Sequence, residues 1–123
     1  MSTGNNVTNH DLLIYQKYLE LVYYTTNILV KFPRSEKFAL ATEIRDNLYS
    51  GLSHLIRAIK LFNRRDKLDN LFEFDVSLSI LKVQIRLANK NHYISEKNYT
   101  FWSQSVTDIG NMLGGWIASC QKR

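Results

Sequence analysis

The chain has 123 residues, 45% of them apolar, with five glycines, one proline and one cysteine. That length supports one domain around one core, and the composition excludes a disordered, collagen-like or disulfide-stapled chain. Sixteen lysines and arginines against eleven acids leave a formal charge of +5, a moderate excess whose distribution along the chain tells more than its sum.

No apolar run approaches the roughly 20 residues that cross a bilayer, so no membrane association is expected. The N-terminal MSTGNNVTNH has neither the basic nor the apolar region of a signal peptide. With a lone Cys120, this points to a reducing, cytoplasmic compartment. Asn6-Val-Thr8 and Asn98-Tyr-Thr100 then match the glycosylation sequon by chance.

Residues 1–9 are polar and aperiodic and read as a flexible lead-in to a domain over 10–121. Asn9 or His10 before Asp11 is a cap-and-acid start, predicting a first helix from about Asp11 to Lys31. Its apolar residues form two seams: Leu12, Tyr15, Leu19, Val22 and Leu29, and Ile14, Tyr18, Leu21, Ile28 and Phe32. Pro33 ends it, and a second helix is predicted from Arg34 or Ser35. Ala41, Ile44, Leu48, Leu52, Leu55, Ile59 and Phe62 make one stripe along that helix. Gly51, beside the stripe, costs about 1 kcal/mol against alanine and predicts a closely approaching neighbour.

The turn Asn63–Asp66 follows, with Asp66 as the expected cap of a third helix. From Leu68 to Lys90 this helix has two apolar faces. Leu71, Phe74, Leu78, Leu81, Ile85 and Ala88 form one; Phe72, Val76, Ile80, Val83 and Leu87 form the other. One face suffices for a core, so the second predicts a partner, and a polar edge between them carries Lys82, Arg86 and Lys90. After a turn at 89–94, Ser95 and Glu96 open a fourth helix with the stripe Tyr99, Trp102, Val106, Ile109, Leu113, Trp116 and Cys120. Gly110, Gly114 and Gly115 weaken that helix, which predicts packing against bare backbone beside Trp116. Four long helices with short turns predict an all-α, antiparallel up-down-up-down four-helix bundle.

Catalytic signals are sparse. His10, His54 and His92 lack metal-ligand spacing, and Glu43, Glu73 and Glu96 have no histidine three residues on, so no metal or other cofactor is expected. Arg86 and His92, six apart, are similar to the RxxxxxH signature of HEPN-type ribonucleases. That makes an RNA-cutting enzyme an alternative to a surface arginine and a loop histidine.

The basic residues are better organised. No acid lies between Asp46 and Asp66 or between Asp75 and Glu96, which are windows holding Arg57, Lys60, Arg64, Arg65, Lys82, Arg86 and Lys90. Antiparallel second and third helices would gather Lys82, Arg86 and Lys90 with Arg45, Lys37, Arg34 and Lys31 at one end. Arg57, Lys60, Arg64, Arg65 and Lys67 would gather at the other, near Lys122-Arg123. Neither group has a base-reading layout, so phosphate contacts with RNA or DNA, salt-dependent and weakly sequence-selective, are the expectation.

Phe32-Pro33-Arg34, Ile80-Leu-Lys-Val-Gln-Ile-Arg-Leu-Ala88, Tyr93-Ile-Ser95 with Tyr99, and Asp108-Ile-Gly-Asn-Met-Leu-Gly-Gly-Trp-Ile117 together resemble the accessory variability determinant (Avd) proteins. These belong to bacterial and phage diversity-generating retroelements and are relatives of the four-helix-bundle proteins of ribosomal-RNA intervening sequences. The resemblance spans about residues 10–121. It implies a non-catalytic homopentameric barrel that binds the retroelement's reverse transcriptase and template RNA in mutagenic retrohoming. It places Lys82 and Arg86 on a basic third-helix edge, and Gly110, Gly114 and Trp116 in a packing block. The chain departs from the pattern at Asn111, where arginine is common. An intervening-sequence-type protein without a polymerase partner is the alternative within the same fold.

Overall fold

Apolar residues three and four apart can share a face only in a helix, and a computed structural model, which describes residues 9–122, has four: α1 (Asn9–Leu29), α2 (Leu40–Lys60), α3 (Arg64–Lys90) and α4 (Glu96–Gln121). No strand occurs among the described residues. Consecutive helices pack on one another, most extensively α2 on α3, and α4 closes back on α1, leaving α1 and α3 on a diagonal of the bundle. The antiparallel four-helix bundle expected from the sequence is the fold observed.

The core follows the stripes. Leu71, Phe74, Leu78, Leu81, Ile85 and Ala88 of α3 are all buried, as are Trp102, Val106, Ile109, Leu113 and Trp116 of α4. From α2 come Ala41, Ile44, Leu48 and Leu55, while Leu52 and Ile59 are half-buried and Phe62 lies outside the helix, exposed. On α1 the seam from Ile14 through Tyr18, Leu21 and Ile28 to Phe32 is buried throughout. The other expected seam divides: Val22 and Leu29 join the core, whereas Leu12 is exposed and Tyr15 and Leu19 are half-buried.

Three boundaries differ from expectation. Residues 1–8 of the expected lead-in lie outside what the structure describes; Asn9 and His10, either of them the expected cap of α1, are already within the helix. Pro33 does not lead directly into a helix. A single 3-10 turn at Arg34–Glu36 intervenes, and α2 begins at Leu40 behind Ala39, which has no side chain to cap it. The cap of α3 is Asn63 rather than Asp66. Asn63 Oδ1 accepts from the Arg65 and Asp66 backbone N–H groups at 2.9 and 3.1 Å, and Asp66 becomes a first-turn acid favoured by the helix dipole. Ser95 caps α4 as expected, accepting from the Asn98 N–H at 3.1 Å.

Two polar contacts join helices inside the bundle. Trp102 Nε1–H donates to the fully buried Thr25 hydroxyl at 2.9 Å, joining α4 to α1. Asn47 donates to the Ser77 carbonyl at 2.9 Å and to Gln84 Oε1 at 3.3 Å, which sets the register of α2 on α3.

Gly51 has the close neighbour it predicted: a Cβ there would lie 2.7 Å from the Tyr18 hydroxyl and 3.2 Å from Ser77 Cβ. Tyr18 has little room to yield. It is 1% exposed, donates to the Leu48 carbonyl at 2.6 Å and meets Phe74 edge-on at 4.9 Å. Gly51→Ala gains about 1 kcal/mol of helix propensity and forfeits about 1–3 kcal/mol to overpacking, so a lower melting temperature is expected. In a Tyr18→Phe background the crowding oxygen is absent and the same substitution should be close to neutral. Equal destabilisation in both backgrounds would show that the hydroxyl does not set the limit.

Candidate nucleic-acid interface

The bundle has two ends, and its basic residues collect at both. At one end, Phe32 and Tyr93 pack with ring centroids 5.5 Å apart, and the Glu36 carboxylate acts on the Tyr93 phenol. Desolvation, with the Glu36 carboxylate second, pushes the Tyr93 phenol above its usual range. These contacts hold the α1–α2 connection, with Lys31, Arg34 and Lys37 exposed, beside the end of α3, with Lys90 exposed. Arg86 is exposed one turn back along α3; Lys82 and, on α2, Arg45 are half-buried, a placement suited to packed stems and wet heads. Lys82, Arg86 and Lys90 take part in no ion pair among the described residues. Their charge is therefore available to an outside anion.

At the other end Arg57, Lys60, Arg64, Arg65 and Lys122 are exposed, and Arg57 Nε donates to Ser53 Oγ at 3.2 Å. Lys67 does not belong with them. Its ammonium donates to the Ala58 carbonyl in the last turn of α2 and sits 5.7 Å from the Trp116 ring centroid. It ties the ends of α2 and α4 to the start of α3, a structural task that sequence position alone does not reveal. Trp116 itself is buried, in keeping with the expected packing block. Its glycines are not: a Cβ at Gly110, Gly114 or Gly115 would meet nothing within 4 Å.

The second face of α3 is open. Phe72, Val76, Ile80, Val83 and Leu87 are 43–52% exposed, forming an apolar stripe alongside the basic edge. A corresponding outward stripe runs along α1 through Tyr15, Leu19, Tyr23, Thr26 and Val30, where Tyr23 is 64% and Val30 69% exposed. Sequence spacing grouped Val22 and Leu29 in one seam with Tyr15 and Leu19; Tyr23 and Val30, one residue on in each case, share the outward stripe with Tyr15 and Leu19 instead.

Of Arg86 and His92, the histidine has a structural role. His92 has a φ of 62° and closes α3 in a Schellman arrangement: its N–H donates to the Asn89 carbonyl at 3.0 Å and the Tyr93 N–H to Ala88 at 2.9 Å. A left-handed residue other than glycine costs about 1–2 kcal/mol. His92→Gly is therefore expected to raise stability by roughly 0.5–1 kcal/mol, after the larger unfolded-state entropy of glycine is counted. An RNA-cleaving activity that disappears in this better-folded variant would restore the ribonuclease alternative. His54 is similarly accounted for, its Nδ1 lying 2.9 Å from Asn70 Oδ1. No group of histidines, cysteines and acids able to hold a metal occurs among the described residues, and no described helix is long and apolar enough to cross a membrane.

Residues 12–120 match the model of a family described as bAvd-like. The fold is also that of a Bacteroides thetaiotaomicron protein described as of unknown function from the S23 ribosomal protein family. The two are 19% identical, with a TM-score of 0.82 over 89% of this chain and 98% of the other. No curated protein matches the chain.

Proposed function

The chain belongs to the bAvd-like family, the bacterial accessory variability determinants, and from that premise we propose that it is the non-catalytic accessory protein of a diversity-generating retroelement. In this role it binds the reverse transcriptase and the template RNA or its cDNA through a basic oligomeric surface, and so supports mutagenic cDNA synthesis. The observation that supports the role best is the outer face of α3, where an exposed apolar stripe runs directly beside Arg86 and Lys90, bases in no ion pair among the described residues. A protein contact and a phosphate contact are thus available on adjoining strips of one helix.

Oligomerisation multiplies the charge. Five copies at +5 each, the pentamer that the family resemblance implies, carry +25, enough to hold RNA at moderate salt without reading bases. The test is a titration of structured RNA against the purified protein at several salt concentrations, with and without the cognate polymerase. The expected result is binding whose logarithm falls linearly with log salt, little preference between sequences, and co-migration with the polymerase. Absence of RNA binding at low salt together with absence of polymerase binding would defeat the proposal.

A further inference from the structure

We propose that the end of the bundle carrying Lys31, Arg34, Lys37 and Lys90 takes an unpaired strand of nucleic acid, one base of which stacks on the ring of Phe38. The inference rests on the nucleic-acid role proposed above and deepens it, by naming a single strand rather than a duplex and the side chain that makes the choice.

Phe38 has no packing task within the protomer. It lies between the 3-10 turn Arg34–Glu36 and the start of α2 at Leu40, and at 89% it is the most exposed large apolar side chain of the described residues. Its ring meets no other ring and no cation among the described residues. Both of its faces are open. A phenyl ring left in water forgoes the burial that Phe32 and Phe74 gain in the core.

The segment that carries this ring is nevertheless held. The Thr42 hydroxyl donates to the Lys37 carbonyl at 2.9 Å and the Ala39 N–H to the Glu36 carbonyl at 3.2 Å, so the backbone is tied on both sides of Phe38. The packing of Phe32 on Tyr93 anchors the same connection against the turn that follows α3. A ring presented from an anchored backbone loses little freedom when a base lands on it.

The surroundings of the ring are cationic. Lys37 precedes it in the chain and Arg34 opens the 3-10 turn. Both are exposed, as are Lys31 and Lys90, and none of the four is in an ion pair among the described residues. Glu36, the nearest acid in the chain, is half-buried and acts on the Tyr93 phenol. Isolated among cations, Phe38 is unlike the continuous apolar stripe of α3, which suits a protein surface. An aromatic face beside unpaired cations is instead the arrangement that holds a single strand: the ring takes a base, and the lysines and arginines take the flanking phosphates. In a duplex the base faces are covered by their neighbours, so only unpaired bases can use the ring. Phe62 is the natural comparison. It is 75% exposed beside Arg64 and Arg65, but at the opposite end from Arg86 and Lys90.

The experiment measures binding of oligouridine, oligodeoxythymidine and a long duplex RNA to the full chain and to its Phe38→Ala variant over a range of salt. The position is exposed and outside every helix, so folding is not at risk. The expected result is a loss of about five-fold or more on the oligonucleotides and none on the duplex. Stacking releases no counterions, so the loss should be the same at every salt concentration and leave the slope of log affinity against log salt unchanged. A loss confined to oligouridine assigns the strand to RNA, one confined to oligodeoxythymidine assigns it to DNA, and either bears the proposal out. Phe38→Trp should restore binding, and its exposed indole should be quenched by the oligonucleotide, whereas Trp102 and Trp116 are buried. Phe38→Leu, apolar without an aromatic face, should not restore it. Equal weakening on the duplex, full rescue by leucine, or a matching loss from Phe62→Ala would each overturn the proposal. Unchanged oligonucleotide binding by Phe38→Ala would overturn stacking while leaving nucleic-acid binding standing; if that variant also fails to co-migrate with the polymerase, the ring serves a protein contact instead. An unmodified chain that binds no nucleic acid at low salt would remove the underlying role as well.

Discussion

Replacing Trp102 with alanine is expected to lower stability by about 3–5 kcal/mol, the range for an indole removed from a closed core. Trp102 is 0% exposed in the middle of the α4 stripe, so neighbouring side chains cannot fill the space without shifting two helices. A second cost is polar. The Thr25 hydroxyl, also fully buried, is deprived of the indole N–H that donates to it at 2.9 Å, and a buried group without its partner costs about 1–3 kcal/mol. Against a total stability of roughly 5–15 kcal/mol for such a domain, the destabilisation should appear as a melting temperature lower by roughly 10–20 °C. Adding Thr25→Val to Trp102→Ala separates the two costs, because the valine removes the orphaned hydroxyl at nearly constant volume. The double variant should be more stable than Trp102→Ala alone. Trp116→Ala should cost less than Trp102→Ala, since Trp116 lies near the end of α4 and one of its faces is covered by the flexible Lys67 side chain. A fully stable Trp102→Ala protein would mean that α4 does not pack as described.

The four helices, their order and most of the core were legible because each has a stripe repeating every three or four residues. Where two stripes overlap on one helix the signal degrades. On α1, Val22 against Tyr23 and Leu29 against Val30 are neighbours about 100° apart, and a straight helix drifts against a seven-residue repeat by about 20° per repeat. Which neighbour faces inward is decided by how α2 and α4 pack on α1, which sequence spacing does not locate. The α3 cap illustrates another limit. Asn63 and Asp66 are both competent caps three residues apart, and the choice follows from Leu61 leaving α2 with extended angles, φ −81° and ψ 139°. The uncapped start at Ala39 carries no side-chain signal at all. The basic residues were legible as a population but not as individuals. Lys67 is drawn into the packing by a carbonyl and a ring on two other helices, and nothing in its own neighbourhood distinguishes it from Arg64 or Arg65. The glycines of α4 predict packing against bare backbone but not what packs there, and within the protomer a Cβ at any of the three would meet nothing within 4 Å.

Reversing two charges on the α3 edge, Lys82→Glu with Arg86→Glu, is expected to weaken RNA binding more than any other pair of reversals. Removing one phosphate contact flattens the slope of log affinity against log salt by about 0.7–0.9, and each acid introduced adds repulsion where attraction was. A drop of ten-fold or more at low salt, shrinking as salt rises, is the signature of phosphate contacts; a drop independent of salt would point to misfolding or to a disrupted protein surface. Two controls make the result interpretable. The edge adjoins the exposed apolar stripe of α3, so the variant's mass by light scattering must equal that of the unmodified protein before any weakening is assigned to RNA. The matching reversal at the opposite end, Arg64→Glu with Arg65→Glu, changes net charge by the same amount on residues that are also exposed. If RNA responds only to net charge, the two reversals weaken binding equally. If it tracks the edge of α3, where Arg86 and Lys90 are exposed and Lys82 is braced by packing, the first reversal weakens binding more and the second leaves most of the salt slope in place. Equal weakening would assign RNA to the whole basic surface rather than to this edge.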